Sequence, residues 1–153
     1  MKHTFVFMLF VALTAIAGCG GHAIPPPPPV ADASGTWQGT FTSNDKAPKV
    51  SKVTISFTQG TQGTDSAGFL FAPLSARLNI NSPDCPAVVA GTGSGTITGS
   101  RVDVTLALSD GGSLHISGED NAQATPNQFV QTTYAFTSGT CAPQAGAVAA
   151  SKQ

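Results

Sequence analysis

Charge is scarce in this sequence of 153 residues. Only 10% of the residues are Asp, Glu, Lys or Arg, and the 7 basic and 8 acidic residues give a formal net charge of −1. Binding to a phosphate backbone depends on clustered Lys and Arg, so this composition argues against nucleic acid as a partner. A highly charged disordered chain is excluded for the same reason. The length predicts one domain, since about 100 to 200 residues is the usual size.

Groups suited to catalysis or metal binding are also few. His115 is the only histidine expected within the folded domain, so a Ser-His-Asp or Cys-His mechanism would depend on it alone, and no Gly-x-Ser-x-Gly motif accompanies it. The segment 91–95 is glycine-rich but lacks the Gly-Lys-Ser/Thr ending of a phosphate-binding loop, and we interpret it as a flexible or bulged start of a strand where backbones approach closely. The sequence therefore predicts a protein that is not an enzyme and has no cofactor and no metal site.

The acidic residues are scattered along the chain. Asp103 stands beside Arg101 on the outward face of a predicted strand, where the two could form a surface ion pair of little energetic value. Glu119 and Asp120 are expected at a turn. A glycosidase-like pair of carboxylates would require the fold to bring distant acids together, and their spacing gives no indication of that.

One long hydrophobic run is present, and it lies at the amino terminus. After Lys2, the thirteen residues from Phe5 to Ala17 carry no charge, and only Thr14 among them is polar. A secretory signal has an apolar region of about 7 to 15 residues, whereas a membrane-spanning helix needs about 20. The length therefore predicts export.

The residues that end this run are Ile16-Ala17-Gly18-Cys19, and they resemble the lipobox of bacterial lipoproteins. The resemblance implies cleavage before Cys19 and attachment of lipid to its thiol, so that residues 1–18 are the signal peptide. An ordinary signal peptide with Gly-Cys near its end is the alternative. Two or more acyl chains would hold the protein firmly on a membrane. The resemblance therefore also implies the membrane as a partner.

Position 20 is Gly rather than Asp. In Gram-negative members of the lipoprotein family, Asp next to the lipidated Cys is the signal for retention in the inner membrane. The resemblance therefore implies the outer membrane if the source is Gram-negative, and the rule does not apply to a Gram-positive source.

Five consecutive prolines, Pro25 to Pro29, follow the predicted anchor. Proline fixes φ and removes an amide donor, so the run predicts an extended polyproline helix that acts as a stiff spacer. A docking site for a proline-reading groove is the alternative. Residues 19–33 are thus interpreted as the lipidated Cys and a Pro-rich tether, and residues 34–153 as the domain.

Two-residue alternation of apolar and polar side chains dominates the domain, and no helical periodicity is sustained. It predicts strands at 35–42, 52–58, 101–108, 113–117 and 129–138. Gly99-Ser100 and Asp110-Gly111-Gly112 are typical of tight hairpin turns. The residues 145–150 indicate either a weak closing strand or a frayed end. An all-β fold follows, an antiparallel up-and-down meander of about eight short strands, for which we favour a closed barrel over a sandwich.

Gly35-Thr36-Trp37 at the start of the first strand, followed by Thr- and Gly-rich hairpins, resembles the small lipocalin-like and streptavidin-like barrels. The later Asp-Arg signature of lipocalins has no counterpart. The resemblance implies a barrel whose mouth can hold a small apolar ligand. Trp37 is expected to close one end of the core, or alternatively to form an aromatic wall for a ligand. The candidate ligand-lining residues are Trp37, Phe57, Val104 and Tyr134.

Two cysteines remain beyond the predicted anchor, Cys85 and Cys141, both in Pro-containing loops. Two thiols in an oxidising compartment usually pair, so we predict a disulfide between them. A redox or metal role is the alternative, disfavoured by the lack of a Cys-x-x-Cys pair. Phe69 and Phe71 share one face of an apolar run that indicates either a buried strand or an exposed patch.

Taken together, these patterns favour a lipid-anchored, non-catalytic envelope protein whose barrel binds a small apolar ligand or an envelope protein. A structural or envelope-maintenance lipoprotein with a filled barrel is the alternative. A hydrolase that uses His115 is a third hypothesis.

Overall fold

The computed structural model describes residues 29–81 and 90–153. The predicted signal peptide, Cys19, most of the Pro-rich tether and Cys85 lie outside the described residues. The predictions for those regions stay predictions. Within the described ranges, no helix has the length and apolar character needed to cross a bilayer.

All regular structure in the described residues is β. The strands are β1 Gly35–Ser43, β2 Val50–Gln59, β3 Gly63–Thr64, β4 Leu70–Asn81, β5 Ala90–Thr98, β6 Arg101–Leu108, β7 Ser113–Asn121, β8 Gln128–Ser138 and β9 Ala145–Lys152.

Eight of these strands form a closed barrel. Each strand pairs antiparallel with its neighbour in sequence, except that β2 pairs directly with β4, and β9 returns to pair with β1. The two-residue β3 is added to the beginning of β4. This confirms the predicted antiparallel meander and the choice of a barrel over a sandwich. Closure leaves none of the eight strands at an edge, which removes the unpaired backbone groups that promote aggregation.

Alternating burial along the strands explains why the sequence predicted them. In β6, Val102, Val104 and Leu106 are fully buried while Arg101 and Thr105 are exposed. The strands also resolve two interpretations that the sequence left open. The segment 145–152 is the closing strand, not a frayed end, and the run that begins at Phe69 leads into the twelve-residue β4. Phe69 itself is exposed.

The glycines of β5 have a packing role. Gly91, Gly93 and Gly95 alternate with exposed Thr92 and Ser94, and a Cβ at Gly93 would overlap the carbonyl oxygen of Thr105 on β6. The close backbone approach predicted for this segment is confirmed. The pairing of β5 with both neighbours is in continuous register, so the predicted alternative of a bulge is wrong.

The barrel has two ends with different connections. One end, called here the capped end, contains the first residues of β1, β4, β6 and β8 and the last residues of β2, β5, β7 and β9. The opposite end, the far end, is where residues 44–49, 109–112 and 139–144 connect the strands, and where β4 ends and β5 begins. Because the meander runs up and down, these assignments follow from the strand order alone.

Candidate functional site

Four residues shortly before the first strand lie across the capped end. This segment, Val30–Ala33, is called the cap. The amide of Ala31 donates to the carbonyl oxygen of Gly99 in the β5–β6 turn at 2.8 Å. The amide of Ala33 donates to Oε1 of Gln59, at the end of β2, at 3.0 Å. Ala33 is completely buried, so the cap is part of the hydrophobic core and not a loose extension of the tether.

Trp37 lies directly beneath the cap. Its indole Nε1 donates a 2.9 Å hydrogen bond to the carbonyl oxygen of Ala33, which satisfies the polar atom of a ring that is otherwise fully buried. The indole stacks on Phe129, and Phe57 meets Phe129 edge to face at 6.0 Å. Trp37 therefore lies at one end of the core, where the sequence analysis placed it.

Asp120 is the unusual residue of this end. It is 2% exposed, and among the described residues neither carboxylate oxygen has a partner with full hydrogen-bond geometry, although the Asn127 side chain is close enough to act on it. Burial raises the pKa of Asp120 above its ordinary value, an effect that the Lys152 charge and the Asn127 side chain oppose and that the Asp32 charge reinforces. The carboxyl group is therefore shifted toward its protonated form.

The expectation that Glu119 and Asp120 lie at a turn is wrong, because both belong to β7. The alternation of apolar and polar residues along this segment could have predicted that Asp120 points inward. Leu114 and Ile116 point inward, and continuing in steps of two through Gly118 reaches Asp120. The presence of charge suggested a surface turn, whereas the strand continues and carries the carboxyl group into the barrel.

Lys152 connects the cap to the last strand. Its ammonium group lies 3.0 Å from the carbonyl oxygen of Asp32 and 3.3 Å from Asp32 Oδ2. Although partial burial raises the pKa of Asp32, hydrogen bonds from Ser34 and from Lys152, together with the Lys152 charge, lower it overall. Asp32 is thus held ionised at the surface while Asp120 is buried nearby.

A cavity of about 390 Å³ opens to solvent beside the cap. Pro29 and Ala31 form one side, and Ser100, Asp120 and Val130 contribute to the other walls. The Asp120 oxygens themselves are buried away from solvent. A ligand in this cavity would contact both the cap and the wall to which Asp120 contributes.

The candidate ligand-lining residues Trp37, Phe57, Val104 and Tyr134 are between 0% and 3% exposed and belong to one hydrophobic core. Tyr134 stacks on Phe41 with ring centroids 4.4 Å apart. The rings of Trp37 and Phe57 contact Phe129, as described above. The three aromatic members of the set thus pack against other core rings, as expected for an eight-stranded barrel just wide enough for side chains to fill.

His115 and Asp103 form a pair on the outer wall of the barrel. His115 Nε2 lies 3.0 Å from Asp103 Oδ1, with the two side chains 38% and 49% exposed. The expected partner of Asp103, Arg101, instead has its Nη2 within 3.5 Å of Ser117 Oγ. The register explains the difference, because Asp103 pairs with Ser117 and Thr105 with His115, which makes His115 a diagonal neighbour of Asp103. An exposed pair of this kind contributes little to stability.

Two loops are joined at the far end. Asp110 accepts hydrogen bonds from the amides of Gly112 at 2.8 Å and Thr140 at 3.1 Å, which link the β6–β7 turn to the β8–β9 loop. Cys141, in the same loop, is 6% exposed and belongs to the core. Its predicted partner, Cys85, lies outside the described residues.

Among residues 29–81 and 90–153, no three His, Cys, Asp or Glu side chains lie close enough together to hold a metal ion. Comparisons with protein-family models, with curated proteins and with solved structures found no match to this chain.

Proposed function

We propose that this chain is a lipid-anchored protein of the bacterial envelope that displays its barrel as a non-catalytic binding module for a protein partner. In this proposal, residues 1–18 are removed and the lipidated Cys19 holds the protein in the membrane, the outer membrane in a Gram-negative cell. The observation that carries the proposal is the docking of the cap across one end of the barrel.

The cap supports an orientation of the barrel. The chain that leads from Cys19 enters the described structure at Pro29 and joins the barrel at the capped end through Ala31 and Ala33. The capped end is therefore the end nearest the anchor, and the far end is turned away from the membrane.

The far end has features suited to a partner. The connection from residue 44 to residue 49 is exposed throughout, and Val50, which follows it, is 58% exposed. Asp110 holds two neighbouring loops together there, so this end presents a preformed surface. A preformed surface binds at a lower entropic cost than one that must be ordered first.

A protein partner is favoured over an apolar ligand inside the barrel. Trp37, Phe129, Phe41 and Tyr134 form two stacked pairs in the interior. A ligand that took their place would have to break these contacts. The filled barrel equally suits the alternative, a structural envelope lipoprotein without a specific partner.

The anchor is tested by replacing Cys19→Ser and labelling growing cells with a radioactive fatty acid. The unchanged chain is expected to take up label and sediment with membranes, and the variant is expected to do neither. Cys141→Ser is the matched control, since it replaces a cysteine away from the anchor and should leave labelling intact. Labelling of the Cys19→Ser variant would contradict the anchor.

The partner is tested by placing a photo-crosslinking amino acid at Lys46, at the far end, or at Gln123, at the capped end, in the full chain expressed in its host. Both positions are exposed. We expect a discrete crosslinked band at position 46 only. Equal crosslinking at both positions would contradict a far-end surface, and no crosslink at either would favour the structural alternative.

The ligand and hydrolase hypotheses have their own measurements. Native mass spectrometry of protein purified from its host would show a mass increase if a small molecule occupied the interior. His115→Ala should leave any phenotype of the gene unchanged in our proposal, and a loss specific to this variant would favour the hydrolase.

A further inference from the structure

One ammonium group interacts with two carboxyl groups at the capped end. Lys152 bonds to Asp32 of the cap through both the backbone carbonyl and the side chain. The charge of Lys152 also acts on Asp120, whose buried oxygens have no partner with full hydrogen-bond geometry among the described residues. Lys152, the cation that an ionised Asp120 would need, is therefore bonded to the cap.

A buried carboxylate without hydrogen bonds is strongly disfavoured, whereas a buried neutral carboxyl is tolerated. We propose that the cap is a pH-controlled latch: ionisation of Asp120 draws Lys152 away from Asp32, and Val30–Ala33 detach from the barrel end so that water reaches the carboxylate. The barrel itself stays closed, because its strands pair all the way round independently of the cap.

The charges around Asp120 are consistent with this latch. Asp32 faces it from the cap and Lys152 from β9, while the polar side chain of Asn127 approaches from the β7–β8 connection. Glu119 on β7 and Arg101 on β6 are exposed residues of the outer face and oppose each other across the two strands. Lys152 is therefore the cation that can respond to Asp120.

The direction of the pH effect on capping follows from the raised pKa of Asp120. The pKa of Asp120 is raised in the capped state, so the capped state binds this proton more tightly than the detached state does. Capping is therefore weakened as the pH rises from the ordinary Asp range through the raised pKa. Asp32 has a lowered pKa and acts in the opposite direction, but in a window below the ordinary Asp range. The two effects do not coincide.

Detachment would have two consequences for the displayed barrel. Four released residues add a reach of about 13 Å to the tether when extended. The indole of Trp37, which bonds to Ala33 in the capped state, and the Phe129 ring stacked on it would meet solvent or a partner at the anchor side. The latch concerns the cap alone and does not depend on the lipid at Cys19.

Trp37 makes the latch measurable, because it is the only Trp in the chain and its indole bonds to the cap. The full chain in a mild detergent is titrated from about pH 4 to about pH 8 while acrylamide quenching of Trp37 is recorded; each unit of pKa shift changes the capping equilibrium by about tenfold. We expect quenching to rise with pH in one transition above the ordinary Asp range. Far-UV circular dichroism should stay constant through it.

Three variants complete the test. Asp120→Asn should abolish the transition and keep Trp37 protected, whereas Asp103→Asn, on the outer wall, should leave the transition unchanged. Asp32→Asn should move the transition to lower pH, because it weakens the contact between Lys152 and the cap. If Asp120→Asn fails to fold, the latch is judged from Asp32→Asn alone, in which the quenching transition should move to lower pH.

The latch is overturned if Trp37 stays equally protected across the range, or if folded Asp120→Asn shows the same transition as the unchanged chain. The latch would also be overturned if the circular dichroism signal were lost with the same midpoint as the quenching transition, because that transition would then report global unfolding.

Discussion

The rings of Trp37 and Phe129 stack with centroids 4.2 Å apart and planes 3° apart, although one residue belongs to β1 and the other to β8. The strand between them is β9, whose buried Ala150 lies opposite Gly39 of β1 and close to the level of Phe129 on β8. The same arrangement recurs toward the far end, where Phe41 and Tyr134 stack across β9 near Gly146. A Cβ at Gly146 would lie 2.8 Å from Tyr134 Cε1. Small residues on the closing strand thus allow large rings on its two neighbours to meet.

Truncating one of these rings should be costly. Phe129→Ala removes a ring that is 6% exposed and contacts both Trp37 and Phe57. We expect a loss of about 3 to 5 kcal/mol in the free energy of unfolding, as for other large-to-alanine changes in cores. Urea denaturation followed by Trp37 fluorescence measures it.

The matched control is Phe69→Ala, because Phe69 has the same side chain but is 60% exposed. It should change stability by no more than about 0.5 kcal/mol, the usual range for surface substitutions. Equal losses in the two variants would show that the Trp37–Phe129 stack does not contribute as described.

Adding a single methyl group to β5 should also destabilise the barrel. A Cβ at Gly93 would lie 2.6 Å from Leu106 Cα and overlap the Thr105 carbonyl oxygen, so β5 and β6 would have to separate. Gly93→Ala is expected to cost about 1 to 3 kcal/mol, the typical cost of overpacking. Thermal unfolding compares it with Ser94→Ala, the neighbouring outward position, which should be nearly neutral. A neutral Gly93→Ala would mean that the strands are not in close contact.

The loop contact of Asp110 should depend on pH with the opposite sign to the cap. Hydrogen bonds from the amides of Gly112 and Thr140 lower the pKa of Asp110 below its ordinary value. The contact is therefore complete above the ordinary Asp range and is lost as the pH falls through the lowered pKa. In NMR spectra, both amide resonances should titrate with a common midpoint below that range.

Asp110→Asn provides the control for this titration. It keeps an oxygen acceptor but removes the carboxyl group, so the common midpoint of the two amide resonances should disappear. Persistence of the midpoint in the variant would assign the titration to another group.

The predicted disulfide between Cys85 and Cys141 has a geometric argument in the strand order. Cys141 is in the β8–β9 loop at the far end, where β4 also ends and β5 begins, and Cys85 lies between β4 and β5 in the sequence. A bond between them would stabilise the barrel by up to about 4 kcal/mol in the loop-entropy model. We expect peptide mass spectrometry under non-reducing conditions to find the linked pair.

Cys85→Ser and Cys141→Ser should then lower the melting temperature, and the double variant should lose no more than the larger single loss. Independent, additive losses would contradict a bond between the two cysteines.

The sequence by itself determined the fold class and much of its detail. Inward positions such as Val102, Val104 and Leu106 alternate with polar neighbours, and this period of two is sufficient to indicate strands. The hairpin turn at Gly99, which has a φ of 58°, was visible because glycine readily adopts this conformation. Strand periodicity and turn preferences depend on residues that are close together in the chain, and these can be read directly from the sequence.

Only the tertiary structure determined which residues contact one another across the barrel. Asp103 contacts His115 rather than Arg101 because register sets diagonal neighbours. The cap residues Val30–Ala33 carry no strand pattern, and their place on the barrel depends on Gly99, Gln59 and Lys152, which are remote in sequence. Asp120 is buried at the same end of the barrel, where it and Ala31 line one cavity. Contacts between distant residues depend on how the strands close, and only the closed barrel brings Lys152 to both Asp32 and Asp120.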